Sequence, residues 1–262
     1  MLVTRLARRV SRILACSQAA AASILQRDPA LSVKTRVVYN PMRQHRKAHG
    51  RLASLLPDRV IIGTVGRITE KKGQHLLLQA IGNLPSDLRE RVQILIVGSE
   101  APGCEPDRRY AEKLRADAVH YGIDDRIVWA GHQSDLAVYY GSMDVLVHPA
   151  LSEAMGLVIL EALASGIPVI ASRTGGTPEA VRDGFNGLLV STENESELST
   201  SLALFLSSPD VRERLKAGAS LGLDSRFSME TFSAGIRAEI RRLCFPVAST
   251  DVPAHPAGSE RS

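Results

Sequence analysis

Two carboxylates and two cations near predicted strand-to-helix junctions are the residues best suited to chemistry on a phosphate-linked ligand. Glu153 and Glu161 are eight positions apart, and Gly156 between them opens an apolar run. Arg67 and Lys72 are five apart in another short loop, so both can neutralise one diphosphate. If Glu153 lies beside the reacting group and Glu161 beside a diol further back, the pair suits a nucleotide linked to a second group.

The chain around these residues alternates between apolar strands and helices. Residues 60–66 and 92–98 are continuous apolar runs, which is typical of strands buried on both faces of a parallel sheet. We therefore predict an α/β fold with a doubly wound, Rossmann-like parallel sheet. Ligands of such sheets bind at the carboxyl edge, where the start of a helix attracts phosphate. On local pattern alone, residues 152–162 fit an ordinary amphipathic helix equally well.

Further local predictions concern the N-terminal part of the chain and some weaker site candidates. We predict helices over 1–12, 17–26 and 135–142, a strand over 33–39, and C-terminal helices from 194 to 243.

His132 follows a strand end and can contact a base or ribose, but His132 and His148 are more readily explained as structural histidines. Gly175-Gly176 permits close backbone approach to a ligand. No His/Cys/Asp cluster has metal-ligand spacing, so we expect no metal site.

Composition restricts the classes of protein that this chain can belong to. Its 262 residues are 44% hydrophobic, as expected for one large or two small globular domains. Three cysteines without a C-x-x-C pair fit a reducing compartment. Arginines interrupt the first apolar segment, so we expect no signal peptide. No apolar run approaches the roughly 20 residues that span a bilayer, so we expect no membrane span and a cytoplasmic location.

Positive charge is concentrated at the N-terminus, although the net charge is only +4. Arg5, Arg8, Arg9 and Arg12 share one face of the predicted first helix. A solvated helix face is the favoured interpretation, and peripheral contact with the inner face of a membrane is the alternative. No aromatic-interleaved basic strand or helix-turn-helix accompanies the patch, so we expect no nucleic-acid partner.

Several motifs occur together in an order that resembles the nucleotide-sugar half of family 4 retaining glycosyltransferases, which have the GT-B fold. The motifs are Gly66-Arg67 with Lys72-Gly73, Glu153-x7-Glu161, Gly175-Gly176-x-Pro178-Glu179 and Asp183-Gly184-x-Asn186-Gly187. The similarity runs through about residues 60–192. The chain departs from the family pattern at Ala154-Met155, where Gly-Phe is frequent, and at Gly98-Ser99-Glu100-Ala101, which lacks a second glycine.

The resemblance implies a role for each motif residue. Arg67 and Lys72 bind the diphosphate of the donor and stabilise the leaving nucleoside diphosphate, while Glu153 lies beside the transferred sugar. Glu161 binds the ribose hydroxyls. The remaining donor-site residues implied are Gly66, Gly98, His132, Met155, Gly156 and Leu157. The implied reaction retains the anomeric configuration without an obligatory metal or cofactor. The expected donor is a UDP-sugar, and the expected acceptor is a glycan or lipid-linked molecule in cell-envelope synthesis.

The resemblance also implies a division of the chain. The predicted parts are a remnant of the acceptor domain (1–41), a linker (42–58), the donor-binding domain (59–226), a closing helix that crosses back (227–245) and a disordered tail (246–262). Most of an acceptor domain, about 150–200 residues, is expected to be missing. Three readings stay open: a transferase that is truncated or completed by another chain, a binding module without catalysis, and a GT-B epimerase or phosphorylase. The motif spacings favour the first two.

Overall fold

The computed structural model describes residues 2–42 and 51–244, and it confirms the predicted α/β class. The strands of this part are β1 (Ile13–Ala15), β2 (Thr35–Val37), β3 (Val60–Val65), β4 (Val92–Val97), β5 (Ile127–Gly131), β6 (Val145–His148), β7 (Val169–Ser172) and β8 (Gly187–Val190). Its α-helices are α1 (Leu2–Arg9), α2 (Gln18–Arg27), α3 (Gln74–Gly82), α4 (Ser86–Arg89), α5 (Glu105–His120), α6 (Ala137–Gly141), α7 (Leu157–Ala164), α8 (Thr177–Ala180), α9 (Glu195–Ser207), α10 (Pro209–Ser220) and α11 (Met229–Cys244).

Within the described residues, six strands form one parallel sheet in the order β5-β4-β3-β6-β7-β8. The direction of strand succession reverses between β3 and β6. In doubly wound sheets this switch opens a crevice at the carboxyl ends of the strands. The predicted Rossmann-like parallel sheet is therefore confirmed.

Two apolar clusters cover the two faces of this sheet. Along β4, Ile94 and Ile96 belong to one cluster, and Leu95 and Val97 belong to the other. This division follows from the strand geometry, because successive side chains point to opposite faces. Helices α3, α5 and α9 pack on the first face, and α7 packs on the second. Helix α7 is thereby fixed beside the carboxyl edge.

The N-terminal segment forms a separate two-stranded parallel sheet, in which β1 pairs with β2. Ser17 caps the intervening helix α2, because its hydroxyl accepts a hydrogen bond from Ala20 N at 3.0 Å. The Glu179 carboxylate accepts hydrogen bonds from Gln18 N at 3.0 Å and from Ala19 N at 2.9 Å. A carboxylate from the large sheet's side of the molecule therefore satisfies N–H groups at the start of α2.

Several predicted element boundaries were wrong. The strand predicted over 33–39 is shorter, because a 3₁₀-helix occupies Pro29–Val33 after Asp28 caps Ala30 N. The first helix ends at Arg9 rather than residue 12. The helix predicted from residue 135 begins at Ala137, whose N–H is capped by the Asp135 side chain. Helix α4 was not predicted.

Some predictions fall on parts of the chain that the structure does not describe. Residues 43–50 of the predicted linker and the whole predicted tail at 246–262 lie outside the described residues. The proposed domain boundaries therefore stay predictions. In residues 2–42 and 51–244, no helix is both long and apolar enough to cross a membrane.

Two arginines of the N-terminal basic face form ion pairs within the molecule. Arg8 Nε lies 2.7 Å from Asp28 Oδ2, and Arg12 Nε lies 3.0 Å from Glu239 Oε2 in α11. The Arg8 guanidinium lowers the pKa of Asp28 through its hydrogen bond. These pairs connect α1 and the residue before β1 to neighbouring elements, and Arg12 lies beyond the end of α1.

Candidate functional site

A cleft of about 690 Å³ lies at the carboxyl ends of β3, β4 and β5, beside the start of α7. Six residues predicted from the sequence line it: Gly66, Arg67, Gly98, His132, Leu157 and Glu161. They come from four separate stretches of the chain. The parallel sheet brings these stretches to one edge, which is where the sequence placed the ligand.

Two glycines form the floor of the cleft where β3 and β4 end. Gly66 and Gly98 have φ values of 136° and 137°, which L side chains rarely adopt. A Cβ on Gly98 would lie only 1.9 Å from Gly66 O. The close approach of these two backbones therefore requires glycine at position 98 and keeps this end of the cleft open.

Glu161, on the wall of the cleft formed by α7, is held by a buried tyrosine. The Tyr140 hydroxyl donates a hydrogen bond to Glu161 Oε2 at 2.8 Å. Tyr140 is 1% exposed. Burial, followed by the neighbouring Glu161 charge, raises the pKa of Tyr140 far above its ordinary value. Sequence reasoning did not identify Tyr140, because a tyrosine 21 residues away carries no local signal of this contact.

Glu153 is held by a lysine and a histidine beside the start of α7. Lys72 Nζ lies 2.5 Å from Glu153 Oε2, and His148 Nε2 lies 3.1 Å from the same oxygen. The structure thus brings together Lys72 and Glu153, two predicted catalytic residues. It adds His148, which sequence analysis treated as structural. The sequence feature that could have identified His148 is its position at the end of a predicted strand, five residues before Glu153.

The charge states in this group follow from burial and hydrogen bonding. Burial opposes ionisation of Glu153, but hydrogen bonds from His148 and Lys72 lower its pKa to about 2. Burial also lowers the pKa of His148, despite the opposing hydrogen bond to Glu153. A neutral imidazole facing an ionised carboxylate must donate, so the His148 proton in this contact is on Nε2. The group therefore consists of Lys⁺, Glu⁻ and a neutral histidine.

Tight contacts between loops position Lys72 and Glu153. A Cβ on Gly73 would lie 2.0 Å from Pro149 O, and Leu151 N donates to Lys71 O at 2.9 Å. The Lys72 loop therefore packs directly on the loop that precedes Glu153. This packing explains why residues 81 positions apart in sequence form an ion pair.

The glycine pair at 175–176 also approaches backbone closely. A Cβ on Gly175 would lie 1.5 Å from Glu153 O. Ala154 O accepts hydrogen bonds from Gly176 N at 3.2 Å and from the Ser17 hydroxyl at 2.7 Å. The glycines were expected to permit approach to a ligand, but in this structure they permit approach to the Glu153 loop. That loop is thus held from two sides.

The three residues that lead into α7 have different environments. The Met155 side chain is 2% exposed and packs in the apolar core. Gly156 precedes α7 in the left-handed conformation, with φ 73°. Leu157 is 48% exposed and faces the cleft. Of the three, Leu157 contributes its side chain to the cleft, while Met155 anchors the loop.

Arg67 is an exposed residue that lines the cleft. Its carbonyl accepts a hydrogen bond from Nε2 of the buried Gln74 at 2.8 Å, which fixes the backbone of the loop. Across residues 2–42 and 51–244, no group of three or more His, Cys, Asp or Glu side chains could hold a metal ion.

Comparison with known proteins identifies relatives along most of this region. The family model described as "Glycosyl transferases group 1" matches residues 51–221. A D-inositol 3-phosphate glycosyltransferase of Streptomyces bingchenggensis (strain BCW-1) is 36% identical over 191 residues, covering 68% of this chain and 41% of that protein. One of Streptomyces scabiei (strain 87.22) is 32% identical over 249 residues, covering 90% and 55%. The chain thus spans about half the length of these relatives.

Solved structures with the same fold include glycosyltransferases of GT-B architecture. Sucrose-phosphate synthase of Thermosynechococcus elongatus matches with a TM-score of 0.80 and 25% identity, over 93% of this chain and 61% of that one. HepE of Anabaena, solved in complex with UDP-glucose, matches with a TM-score of 0.75 and 23% identity, over 91% and 66%. The α/β architecture of this chain matches that of these enzymes.

Proposed function

The chain belongs to the group 1 glycosyl transferases, and on that premise we propose that it binds a UDP-sugar and serves sugar transfer of the family 4, retaining type. The observation that carries the proposal is the cleft at the carboxyl edge, which is lined by Arg67, by the start of α7 and by Glu161 within that helix. Binding of UDP-glucose by the structurally similar HepE supports a UDP-sugar as donor.

Charge explains how this site would bind the donor. The first N–H groups of α7 and the exposed Arg67 offer positive charge to the diphosphate. Lys72 can add a further contact without leaving Glu153, because an ammonium group has three N–H donors. Fixed cations that stabilise the departing nucleoside diphosphate lower the barrier to transfer electrostatically. Glu161 would accept hydrogen bonds from the ribose hydroxyls.

The ionised state of Glu153 limits its role in the reaction. A carboxyl group with a pKa of about 2 carries no proton near neutral pH. Glu153 would therefore act as an acceptor for sugar hydroxyls and as a negative charge beside the anomeric centre. That charge stabilises the positive character that develops when the leaving group departs. General-acid catalysis by Glu153 does not fit this environment.

The finer parts of the proposal concern stereochemistry, acceptor and location. Retention is proposed because the order of Arg67, Lys72, Glu153 and Glu161 resembles that of family 4 retaining enzymes. We also propose a glycan or lipid-linked acceptor in cell-envelope synthesis. A further proposal is contact of the basic N-terminal helix with the inner face of the membrane. Because Arg8 and Arg12 already form internal ion pairs, membrane contact is the weaker of these.

A second proposal is that this chain alone binds the donor but transfers little sugar. All residues that line the cleft lie between Val65 and Glu161, so the cleft accounts for donor binding. Transfer also needs an acceptor site opposite Glu153, which an acceptor domain or a separate chain would supply. This proposal requires the same donor contacts as the first and differs only in turnover.

Calorimetric titration of the chain with UDP tests donor binding. We expect a dissociation constant in the micromolar-to-millimolar range, and Arg67→Ala or Glu161→Ala should weaken binding about tenfold or more. Arg91→Ala is the matched control. Arg91 is also exposed, but it lies immediately before β4 at the amino edge of the sheet.

Two outcomes decide between the proposals. Equal affinity of wild type, Arg67→Ala and Glu161→Ala for UDP would contradict the site assignment. Hydrolysis of UDP-glucose, or transfer to an added acceptor mixture, is then measured on the same sample. Rapid turnover by the isolated chain would reject the binding-only proposal, and binding without turnover would support it.

A further inference from the structure

Tyr140 and Glu161 form a contact beneath the wall of the cleft. Tyr140 lies in α6, and its ring packs in the apolar core beside α7. Its hydroxyl donates to Glu161 Oε2 at 2.8 Å, whereas Val158 O is 3.5 Å away. Among the described residues, those lining the cleft do not include Tyr140. Tyr140 therefore acts on the cleft only through another residue.

We propose that Tyr140 is a positioning residue, which holds the Glu161 carboxylate in the orientation that accepts the ribose hydroxyls of the donor. This inference rests on the ribose role proposed above for Glu161. Tyr140 lies outside the sequence motifs described above. It would affect binding of the ribose diol only through its contact with Glu161.

The apolar core fixes the tyrosine, and the tyrosine in turn restricts the conformations of the Glu161 side chain. The Tyr140 ring is fixed by the core, so the position of its hydroxyl oxygen is fixed as well. A glutamate side chain has three rotatable torsions and loses conformational entropy when it binds a ligand. An anchored Oε2 removes much of that freedom before the donor arrives, which is preorganisation. A carboxylate offers about four acceptor positions, so the Tyr140 bond is compatible with bonds from a diol.

The environment keeps Tyr140 in the donor role. Its hydroxyl is buried, and a buried hydrogen bond to a charged group is stronger than one between neutral groups. Burial and the adjacent Glu161 raise the pKa of the phenol, so it stays protonated at physiological pH. The protonated hydroxyl can therefore donate to the Glu161 carboxylate, which is the nearer of its two acceptors.

The test compares binding of UDP with binding of 2′,3′-dideoxy-UDP, which lacks the diol. Wild type should prefer UDP. Tyr140→Phe keeps the ring in the core, and it should reduce this preference about three- to tenfold while leaving the affinity for dideoxy-UDP unchanged. In a Glu161→Ala background, Tyr140→Phe should have no further effect. Tyr139→Phe, which removes the neighbouring hydroxyl, is the matched control and should keep the wild-type preference.

The outcomes separate this inference from the function on which it rests. If wild type binds UDP and dideoxy-UDP equally, the ribose role of Glu161 is wrong, and the positioning role is wrong with it. If wild type prefers UDP and Tyr140→Phe keeps that preference, only the positioning role is overturned. Equal weakening of both ligands by Tyr140→Phe would show a merely structural role and would also overturn the inference.

A second measurement covers the case in which Tyr140→Phe does not fold. In the wild-type chain, NMR should detect a slowly exchanging Tyr140 hydroxyl proton, because this proton is buried and hydrogen-bonded. The signal should persist when UDP is added. Rapid exchange of that proton in the UDP complex would mean that the contact breaks on binding, and this result would overturn the inference.

Discussion

Lys72 Nζ and Glu153 Oε2 are 2.5 Å apart, so the proposed phosphate-binding cation is already paired with the proposed sugar-side carboxylate. The side chains are 29% and 14% exposed, respectively. The pair fixes the ammonium group beside the start of α7 while leaving donors for a phosphate. This relationship makes the two residues interdependent in binding and in stability.

Lys72→Ala should weaken UDP binding about tenfold, because it removes a charge-assisted contact to the diphosphate. It should also reduce the salt dependence of the affinity. Isothermal titration at two ionic strengths measures both effects. Lys71→Ala is the control, since Lys71 is an exposed neighbour whose backbone carbonyl contacts the loop at Leu151. An equal loss in Lys71→Ala would point to a nonspecific charge effect.

Glu153→Gln should lower the free energy of unfolding at neutral pH by about 1–3 kcal/mol, because a buried charged partner is lost. The folded-state pKa of Glu153 is depressed from 4.5 to about 2. Its contribution is therefore present above about pH 4.5 and is lost as the pH falls toward 2. Urea denaturation across this range should show the difference from wild type shrinking in acid. A stability difference between wild type and Glu153→Gln that does not change with pH would contradict the assigned ionisation. Glu90→Gln, at an exposed position, is the control.

His148→Asn should reduce the pH dependence of stability just below neutrality. The pKa of His148 is lowered from 6.5 by burial, so unfolding takes up a proton as the pH falls below that value. Wild-type stability should therefore decline as the pH falls below about 6.5, and this decline should be shallower in the variant. Denaturation at several pH values measures the slope. His120→Asn, at an exposed helix end, is the control. An unchanged slope in His148→Asn would refute the prediction.

Gly98→Ala should destabilise the chain by at least about 3 kcal/mol and disrupt UDP binding. Its Cβ would lie 1.9 Å from Gly66 O at a φ of 137°, so both a steric clash and backbone strain result. Thermal unfolding and UDP titration provide the readouts. Gly103→Ala separates the two causes, because Gly103 also has a positive φ of 72° but has nothing within 4 Å. We expect Gly103→Ala to cost about 1–2 kcal/mol.

Glu179→Ala should loosen the N-terminal segment from the rest of the molecule. Its carboxylate accepts from Gln18 N and Ala19 N and from the Tyr39 hydroxyl at 2.8 Å. Hydrogen exchange at the first amides of α2 should accelerate by about tenfold or more, since these N–H groups lose their acceptor. Tyr39→Phe removes one of the three bonds and should produce a smaller effect. Unchanged exchange in Glu179→Ala would contradict this docking role.

Much of the fold was predictable from the sequence because parallel strands and their helices have local signatures. Continuous apolar runs at 60–66 and 92–98 identified β3 and β4, and polar loops after them marked the carboxyl edge. Arg67 and His132 were placed at that edge for the same reason, and Glu161 was placed further along the helix that begins there; all three line the cleft. Boundaries such as that of β2 failed, because a side-chain cap and a 3₁₀ turn override a short alternating pattern.

The sequence by itself therefore determined the sheet, its edge and the residue types that reach it, since those depend on local spacing. Only the tertiary structure decided which side chains hold the site residues in place. Tyr140 lies 21 residues from Glu161, and Glu179 lies 161 residues from Gln18. Contacts over such separations depend on how helices and loops pack around the sheet. Packing also decided that the glycines at 175–176 approach the Glu153 loop, because the backbone contact they permit arises only in the folded chain.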